Sequence, residues 1–297
     1  MKRALLASAI VCLGAQASTQ ETDTITFAAF GDYGNGPGAI AVADLVKANN
    51  PNYIVTVGDN CYGYSPPIAE QIGAKYGDYV ATGRFIPALG NHEYTTRCSN
   101  NGVKNNPVGY LAYFDLPNNE RYYTMRKGPV EFFVADSNMP LPDGRCKKSI
   151  QALWFKAKLA ESTAPWKIMV FHKAAFTSGY QQPWLCMQWP FEQWGADVVL
   201  SGHDHHYERI LRDDNKDGRQ LPYFVSGLAG QIPREFSTIV GGSVARYNQD
   251  YGVLFATATP TTLNFEFRTV GGAIVDSFSM AKPAAPVSNF EFKTSAR

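Results

Sequence analysis

The chain lacks an excess of charge of either sign. Its 297 residues carry 27 Lys and Arg against 26 Asp and Glu, a formal net charge of +1. Proteins that bind nucleic acid or an anionic membrane surface through their overall charge carry a clear basic excess. We therefore predict no nucleic-acid partner and no membrane partner.

Long hydrophobic runs are also scarce. An apolar run covers residues 4–13, after Lys2 and Arg3 and before Ala15-Gln16-Ala17. A helix that spans a bilayer needs about 20 apolar residues, whereas a basic start, a short apolar run and a small-residue cleavage site are typical of a secretory signal peptide. We predict a signal peptide at 1–17, with a periplasmic or extracellular mature protein whose net charge is near −1.

Cysteine is infrequent, with five in the whole chain, and Cys12 lies in the predicted signal peptide. An even number in an exported chain predicts disulfides, and three pairings are open. No spacing matches a C-x-x-C metal or redox motif, so a zinc site is disfavoured. The four remaining cysteines are Cys61, Cys98, Cys146 and Cys186.

The order of the apolar runs predicts the fold class. Runs rich in Val, Ile, Phe and Tyr, typical of buried strands, occur at 25–30, 53–57, 85–89, 130–135, 167–171 and 198–200. Helix-like stretches lie between them at 37–48, 67–75 and 149–160, the last with Leu153 and Ala157 on one face. Alternation of strand and helix predicts an α/β sheet.

The last third of the chain has a different pattern. Short strand-like runs, which we expect to be antiparallel, occur at 207–212, 223–226, 253–259, 263–267 and 274–278. There is no internal repeat and no linker, so we predict one domain over 22–280. A loose tail rich in Pro, Ala and Ser is predicted at 281–297.

Five polar clusters follow the ends of five predicted strands, where ligands gather in α/β sheets. Their carboxylates, imidazoles and amide suit a pair of metal ions, with one carboxylate bridging. Each cluster alone is common, but five in order favour a metal site over coincidence. The clusters are Gly31-Asp32-Tyr33-Gly34, Gly58-Asp59-Asn60-Cys61-Tyr62, Gly90-Asn91-His92-Glu93, His172, and Gly202-His203-Asp204-His205.

The order G-D-x-G, G-D-x-x-Y, G-N-H-E, a strand ending in His, and G-H-x-H resembles the metallophosphoesterase superfamily and, within it, the purple acid phosphatases. The length of the chain and the hairpin after the last motif are similar to the small single-domain members of the tartrate-resistant type. The resemblance covers most of the mature chain. It implies an α/β fold, a calcineurin-like sandwich of two packed β-sheets flanked by helices.

One exchange within the motifs bears on the metal. Most metallophosphoesterases begin with D-x-H, but here the histidine position is Gly34, which has no side chain to donate. Tyr62, three residues after Asp59, matches the tyrosine that replaces this histidine in purple acid phosphatases. A phenolate is a hard anionic donor that favours a trivalent ion, so the exchange predicts Fe(III). The alternative, in which Tyr62 is an aromatic wall residue, does not explain the missing histidine.

The resemblance also implies the roles of the site residues. A second, divalent metal, either Fe, Zn or Mn, is expected beside Fe(III). His92 matches a histidine that does not bind metal and is the implied catalytic residue, and it binds substrate together with Asn91. The implied ligands are Asp32, Tyr62 and His205 for Fe(III), Asp59 as the bridge, and Asn91, His172 and His203 for the divalent ion.

The implied function is that of a secreted acid phosphatase. It hydrolyses phosphate monoesters, either small molecules or phosphoproteins, by attack of a metal-bound hydroxide at a dinuclear Fe(III)–M(II) centre, and we expect a monomer. One alternative is a phosphodiesterase or nucleotidase of the same superfamily. The other is an iron-dependent redox or phosphate-binding protein, which the complete ligand set disfavours.

The sequence departs from the family pattern in the number of histidines. There are only five, at 92, 172, 203, 205 and 206, so a second substrate histidine found in known members is missing. Lys173, Tyr180 or Gln181 are candidates to replace it. His206 should point away from His205 in an extended segment, and we interpret it as structural.

A second motif has no place in this pattern. Asp213, Asn215, Asp217 and Gly218 copy the start of an EF-hand loop, but the twelfth position is Phe224 instead of Glu. Since that glutamate supplies two of the calcium ligands, we predict a hairpin turn that binds no calcium.

Overall fold

The computed structural model describes residues 24–63, 67–95, 98, 106–138 and 143–283. The predicted signal peptide at 1–17 and residues 284–297 of the predicted tail lie outside this part of the chain. Among the helices within it, none has both the length and the hydropathy needed to cross a bilayer.

Strands and helices alternate through the first two thirds of the described chain, as predicted. The helices are α1 (Pro37–Asn49), α2 (Ile68–Ala81), α3 (Val108–Tyr113) and α4 (Ile150–Glu161), with a 3-10 turn at Leu185–Met187. The strands are β1 (Ile25–Phe30), β2 (Tyr53–Thr56), β3 (Phe85–Pro87), β4 (Tyr123–Lys127), β5 (Val130–Val134), β6 (Trp166–Lys173), β7 (Val198–Gly202), β8 (Tyr207–Arg212), β9 (Leu221–Ser226), β10 (Ser243–Tyr247), β11 (Gly252–Ala258), β12 (Thr262–Thr269) and β13 (Ile274–Ala281).

The strands form two sheets. The first has the order β13-β12-β11-β1-β2-β3 and the second β10-β8-β9-β7-β6-β5-β4. In the first sheet β1 is parallel to β2 and antiparallel to β11, so a strand from the last third of the described chain lies beside the first strand. The C-terminal strands are antiparallel to one another, as predicted, but β9 also pairs with β7 in parallel.

The strands carry apolar side chains on both faces. One face of each sheet therefore packs against the other sheet, and the outer face packs against helices. On β1, Phe27 lies in the core between the sheets, with its ring 5.2 Å from Phe132 in a T-shaped contact. Its neighbour Phe30 packs on the outer side with Val42 of α1. On the far side, Phe155 of α4 covers the second sheet. This confirms the predicted sandwich of two sheets flanked by helices.

Two details differ from the sequence prediction. On α4, Leu153 and Ala157 face solvent, and Phe155 and Leu159 form the buried side. The predictions also missed α3, β4 and β10. The missed strands are only partly buried, so their sequences lack the apolar runs by which the other strands were predicted.

Two disulfides resolve the three open pairings. Cys61 is bonded to Cys98 and Cys146 to Cys186, with Cα atoms 5.8 and 4.3 Å apart. The first anchors the loop after β2 to the segment after β3, and both of these loops carry predicted ligands. The predicted disulfides are therefore present.

An ion pair between β8 and β13 joins the two sheets. Arg209 on β8 donates two hydrogen bonds to Asp276 on β13, at 2.7 and 2.8 Å, and Tyr207 donates a third at 2.7 Å. Burial opposes ionisation of Asp276, but the hydrogen bonds from Arg209 and Tyr207 outweigh it and lower the pKa of the carboxyl. The side chain is only 10% exposed, so solvent screens this pair weakly.

We predict that Asp276→Asn lowers the free energy of unfolding by about 1–3 kcal/mol at pH 7, since hydrogen bonds to a charged group are lost. Because the folded-state pKa is depressed, the stabilisation is present above the ordinary pKa of 3.8 and is lost as the pH falls through the folded value. Urea titrations from pH 7 to 3 should show the deficit shrinking in acid. Glu161→Gln, at an exposed pair, should change stability little, and an equal deficit there would contradict the prediction.

Candidate metal centre

The predicted ligands lie at or past the carboxyl ends of five strands, β1, β2, β3, β6 and β7. Asp32, Asp59 and Asn91 follow β1, β2 and β3, His172 is near the end of β6, and His203 follows β7. Three of these residues, Asp32, Asp59 and His203, have positive φ angles of 60, 51 and 72°. Such strained conformations cluster at functional sites. The two sheets thus meet at one edge with all the predicted clusters together.

One half of the site contains Asp32, Tyr62 and His205. The Tyr62 hydroxyl lies 3.1 Å from Asp32 Oδ1 and 3.0 Å from Asp59 Oδ2. His205 Nε2 lies 3.7 Å from Asp32 Oδ1, and its Nδ1 is 3.1 Å from the Ile232 carbonyl. A ring nitrogen held by a carbonyl leaves the other nitrogen oriented towards the site.

The other half contains Asn91, His172 and His203, with Asp59 between the halves. His172 Nε2 is 3.3 Å from Asp59 Oδ2 and 3.1 Å from Asn91 Oδ1. Its Nδ1 is 2.9 Å from the Val57 carbonyl. One ligand atom each from Asp59, His172 and His203 lie within 4.8 Å of one another, as a shared metal ion would require.

Tyr62 lies beside Gly34, the position at which most metallophosphoesterases have a histidine. A Cβ atom on Gly34 would lie 3.4 Å from the Tyr62 side chain and 2.5 Å from Gln231 Nε2. The backbone of Gln231 is held there because its N–H donates to the Asp32 carbonyl at 2.9 Å. The side chains of Tyr62 and Gln231 therefore take the space that a larger residue at position 34 would need.

The donor set fits a cation. The carboxylates of Asp32 and Asp59 are both buried, and both lie within hydrogen-bond distance of the Tyr62 hydroxyl. Burial raises the pKa of Asp32 to about 8, and the charge of Asp59 adds to the rise. Burial also raises the pKa of the Tyr62 phenol well above its ordinary value. These anionic forms are stable together only when positive charge lies between them.

The histidines differ in charge. Burial disfavours the charged form of His172, but Asp59 and Asp32 outweigh it and raise its pKa to about 9. Burial and the neighbouring His172 lower the pKa of His203 to about 2. Burial and Arg234 lower the pKa of His205 to about 4. Two of the three predicted histidine ligands are thus neutral in mild acid, the form that binds metal.

His92 lies at the mouth of the site. Its side chain is 30% exposed and its Nε2 is 3.8 Å from Asp59 Oδ2. The ring packs on Tyr62 at a centroid distance of 4.0 Å, and the backbone amide donates to Asp59 Oδ1 at 2.8 Å. The backbone of His92 orients the predicted bridging carboxylate, while its partly exposed ring packs against Tyr62.

Comparison with known sequences decides the family. A sequence model described as calcineurin-like phosphoesterase matches residues 25–207, more than half of the chain. The chain belongs to the calcineurin-like phosphoesterase family. The resemblance predicted from the motifs is confirmed, and the matched region contains every predicted ligand.

Individual relatives point to one branch of the calcineurin-like phosphoesterases. Purple acid phosphatase 23 of Arabidopsis thaliana is 27% identical over 198 residues, which cover 58% of this chain and 42% of that protein. An acid phosphatase of Aspergillus ficuum is 28% identical over 192 residues, covering 52% and 31%. The chain spans less than half the length of these curated relatives.

Solved structures share the fold at low identity. The lupin purple acid phosphatase PPD1 superposes with a TM-score of 0.70 at 19% identity, over 87% of this chain and 54% of that one. GAP50, described as the anchor in the inner membrane complex of Plasmodium, gives 0.61 at 17% identity, over 89% and 90%. A phosphatase and an anchor therefore have similar folds, so the side chains must decide the function.

Glu93 is part of the G-N-H-E motif, but the sequence prediction gave it no role. Its buried carboxylate accepts hydrogen bonds from backbone amides of the two loops that follow β2 and β3. Its place in the motif is the sequence feature from which this role could have been predicted. Burial and the charge of Asp59 raise its pKa to about 8, and the amide donors oppose the rise. The donors are Gly90 at 2.5 Å, Asn60 at 2.7 Å, Cys61 at 3.1 Å and Asp59 at 3.2 Å.

Two basic side chains lie near the ligands. Lys173 follows His172 directly and its Nζ is 4.2 Å from the ring centroid of Trp184. Arg234, missed from the sequence because its segment carries no motif, donates its amide to the His205 carbonyl at 3.0 Å. Of the other candidates, Tyr180 is 72% exposed, and the backbone N–H of Gln181 donates to Asp204 Oδ1 at 2.9 Å.

His206 does not belong to the candidate ligand set. It is fully buried, its Nε2 lies 3.4 Å from Glu208 Oε2, and its ring packs on Phe236 at 4.6 Å. These contacts agree with the structural role predicted for it.

We predict that Glu93→Gln weakens metal binding by about 10- to 100-fold, the usual cost of losing a group that orients ligands. The reason is that one end of the new amide would present N–H groups to the amide donors. The measurement is a competition titration with a metal chelator. Glu70→Gln, on the exposed face of α2, is the control. Unchanged affinity in a folded Glu93→Gln variant would show that Glu93 does not position the ligands.

Proposed function

We propose that this chain is an exported acid phosphatase that hydrolyses phosphate monoesters at a dinuclear centre of Fe(III) and a divalent Fe, Zn or Mn ion. The observation that carries the proposal is the position of Tyr62: its hydroxyl lies between Asp32 and Asp59, and the Cβ and ring side of the same side chain borders Gly34. The relatives named purple acid phosphatase and acid phosphatase support it.

The donor chemistry assigns a ligand set to each metal. Asp32, Tyr62 and His205 would hold Fe(III), because the phenol adds a hard anionic donor. Asp59 would bridge, and Asn91, His172 and His203 would hold the divalent ion. When bound, such a pair supplies Lewis acidity to the phosphoryl oxygens and lowers the pKa of water.

The residues around the pair bind substrate and move protons. His92, partly exposed at the mouth of the site, would give a proton to the leaving oxygen or stabilise its charge. Asn91 would contact the phosphate group next to His92. Lys173, which follows His172 directly, and Arg234, whose backbone contacts His205, are the candidates to take the place of the missing second histidine, since charged donors bind phosphate oxygens strongly.

The location, substrates, partners and oligomeric state expected from the sequence are also proposals. Two disulfides support residence in an oxidising compartment. We also propose small phosphate esters or phosphoproteins as substrates, no nucleic-acid or membrane partner, and a monomeric state.

The experiment that tests the activity compares p-nitrophenyl phosphate with bis(p-nitrophenyl) phosphate between pH 4 and 8. The proposal expects hydrolysis of the monoester with an optimum in acid. Faster hydrolysis of the diester would make the chain a phosphodiesterase of the same family. No hydrolysis of either ester by metal-loaded protein would favour a binding protein.

We predict that His92→Ala reduces kcat for the monoester by about 10²–10⁴-fold, the contribution typical of general acid–base catalysis. Metal content should stay close to that of the unchanged protein. Asn91→Ala is the matched comparison, because a predicted ligand should lose metal and activity together. Metal loss in His92→Ala would contradict the role proposed for His92.

A further inference from the structure

A second group of acidic side chains lies outside the metal centre. Glu192, Asp213 and Asp217 each offer one carboxylate oxygen within 4.8 Å of the others. Glu192 precedes β7, whereas both aspartates lie in the turn between β8 and β9. Like charges at this separation repel each other, so the arrangement requires a further cause.

Glu192 supplies an independent indication of a ligand. The residue is only 4% exposed. Its Oε2 accepts hydrogen bonds from the amides of Asp214 and Asn215, at 2.9 and 3.0 Å. Its Oε1 is buried and has no hydrogen-bond partner within the described part of the chain. An unpaired buried carboxylate oxygen is costly, and this one belongs to the side chain that meets the two aspartates.

The turn matches the first half of a calcium-binding loop. Its Asp213, Asn215 and Asp217 occupy positions 1, 3 and 5, and Gly218 at position 6 has a φ angle of 86°, as the sharp bend there requires. Asp213 accepts hydrogen bonds from the amides of Asp217 and Gly218, both at 3.0 Å. These bonds fold the loop so that the carboxylates lie on one side.

The missing twelfth ligand has a structural explanation. Phe224 stands at that position and is fully buried in the core as part of β9, so the chain cannot present a glutamate from there. Glu192 brings a carboxylate to the same loop from a different segment. The sequence reasoning that excluded calcium considered only the continuous twelve-residue loop.

The arginines that flank the turn are already paired. Arg212 contacts Asp214 at 2.8 Å, and Arg219 contacts Asp197 at 3.0 Å. Their ion pairs are therefore made with acids outside the group of Glu192, Asp213 and Asp217. A bound cation would compensate the charge of the group directly.

We propose that Glu192, Asp213, Asn215 and Asp217 form a calcium site. All of their donors are oxygen atoms, which suits a hard cation, and position 7 of such a loop adds a backbone carbonyl, here that of Arg219. Ca²⁺ accepts the irregular set of ligands that a loop and a distant side chain provide, whereas Mg²⁺ demands near-ideal octahedral geometry.

The position of the site indicates its role. β8 leads away from His205, and its six residues place the turn about 20 Å from the metal centre. Calcium there would tie the segment before β7 to the turn between β8 and β9. The expected effect is therefore on stability, with no direct effect on the hydrolysis of phosphate esters.

The test uses the full mature protein with its catalytic metals, in buffer freed of calcium by a chelating resin. CaCl₂ is titrated up to ~10 mM, which is about ten times the weakest Kd of extracellular calcium modules. Calorimetry should show one Ca²⁺ per chain. The Tm should rise by about 5 °C or more at a hundredfold excess over Kd, and hydrolysis of p-nitrophenyl phosphate should stay unchanged.

Variants locate the site. Glu192→Gln should weaken Ca²⁺ binding at least about tenfold, the effect of losing a charged ligand, and should lose the rise in Tm. Asp214→Asn removes an equal charge from the same turn outside the site and should bind as the unchanged protein does. If Glu192→Gln fails to fold, Asp217→Asn, at an exposed position, replaces it.

Three outcomes would overturn the proposal. The first is absence of Ca²⁺ binding and of a Tm shift over the whole titration. The second is an equal loss of affinity in Asp214→Asn, which would indicate general attraction of cations to an acidic surface. The third is equal affinity for Mg²⁺ and Ca²⁺, which would contradict the assignment to calcium. None of these results depends on whether the chain is a phosphatase.

Discussion

The mutual repulsion of two buried carboxylates is the constraint around which this molecule is organised. Asp32 and Asp59 end neighbouring parallel strands and both lie against the hydroxyl of Tyr62. Out of water, such a group is stable only with compensating positive charge. The backbone amides of His203 and His92 supply part of this by donating to the two carboxylates. Glu93 has a different role, since its carboxylate holds together the loops that carry Asp59 and Asn91.

The fold supplies the geometry that this constraint requires. Because the strands of both sheets end at one edge, residues from Asp32 to His205 meet without a continuous motif. The Phe27–Phe132 contact between the sheets and the Arg209–Asp276 pair fix the sheets relative to one another. GAP50, described as an anchor, has a similar fold, so the function must be argued from the side chains of the site.

Most strands and all the proposed metal ligands could be predicted from the sequence, whereas several contacts across the fold could not. Buried strands such as β1 and β6 were predicted because their apolar runs are long, whereas β4 and β10 were missed because they are partly exposed. The ligands were predicted because each motif sits directly after a strand. Arg234 and Glu192 were not, since their significance comes from contacts across the fold, with His205 and with the 213–218 turn. Disulfide pairing likewise depends on three-dimensional proximity that spacing alone does not encode.

The most direct test of the metal centre is iron analysis combined with visible absorption spectra of the unchanged protein and of Tyr62→Phe. If Tyr62 binds Fe(III), the unchanged protein contains iron and is purple from a tyrosinate band, and the variant loses the band. An iron-free, colourless protein that still hydrolyses phosphate esters would contradict the assignment of Tyr62 and Fe(III). So would a Tyr62→Phe variant that keeps both its iron and its colour.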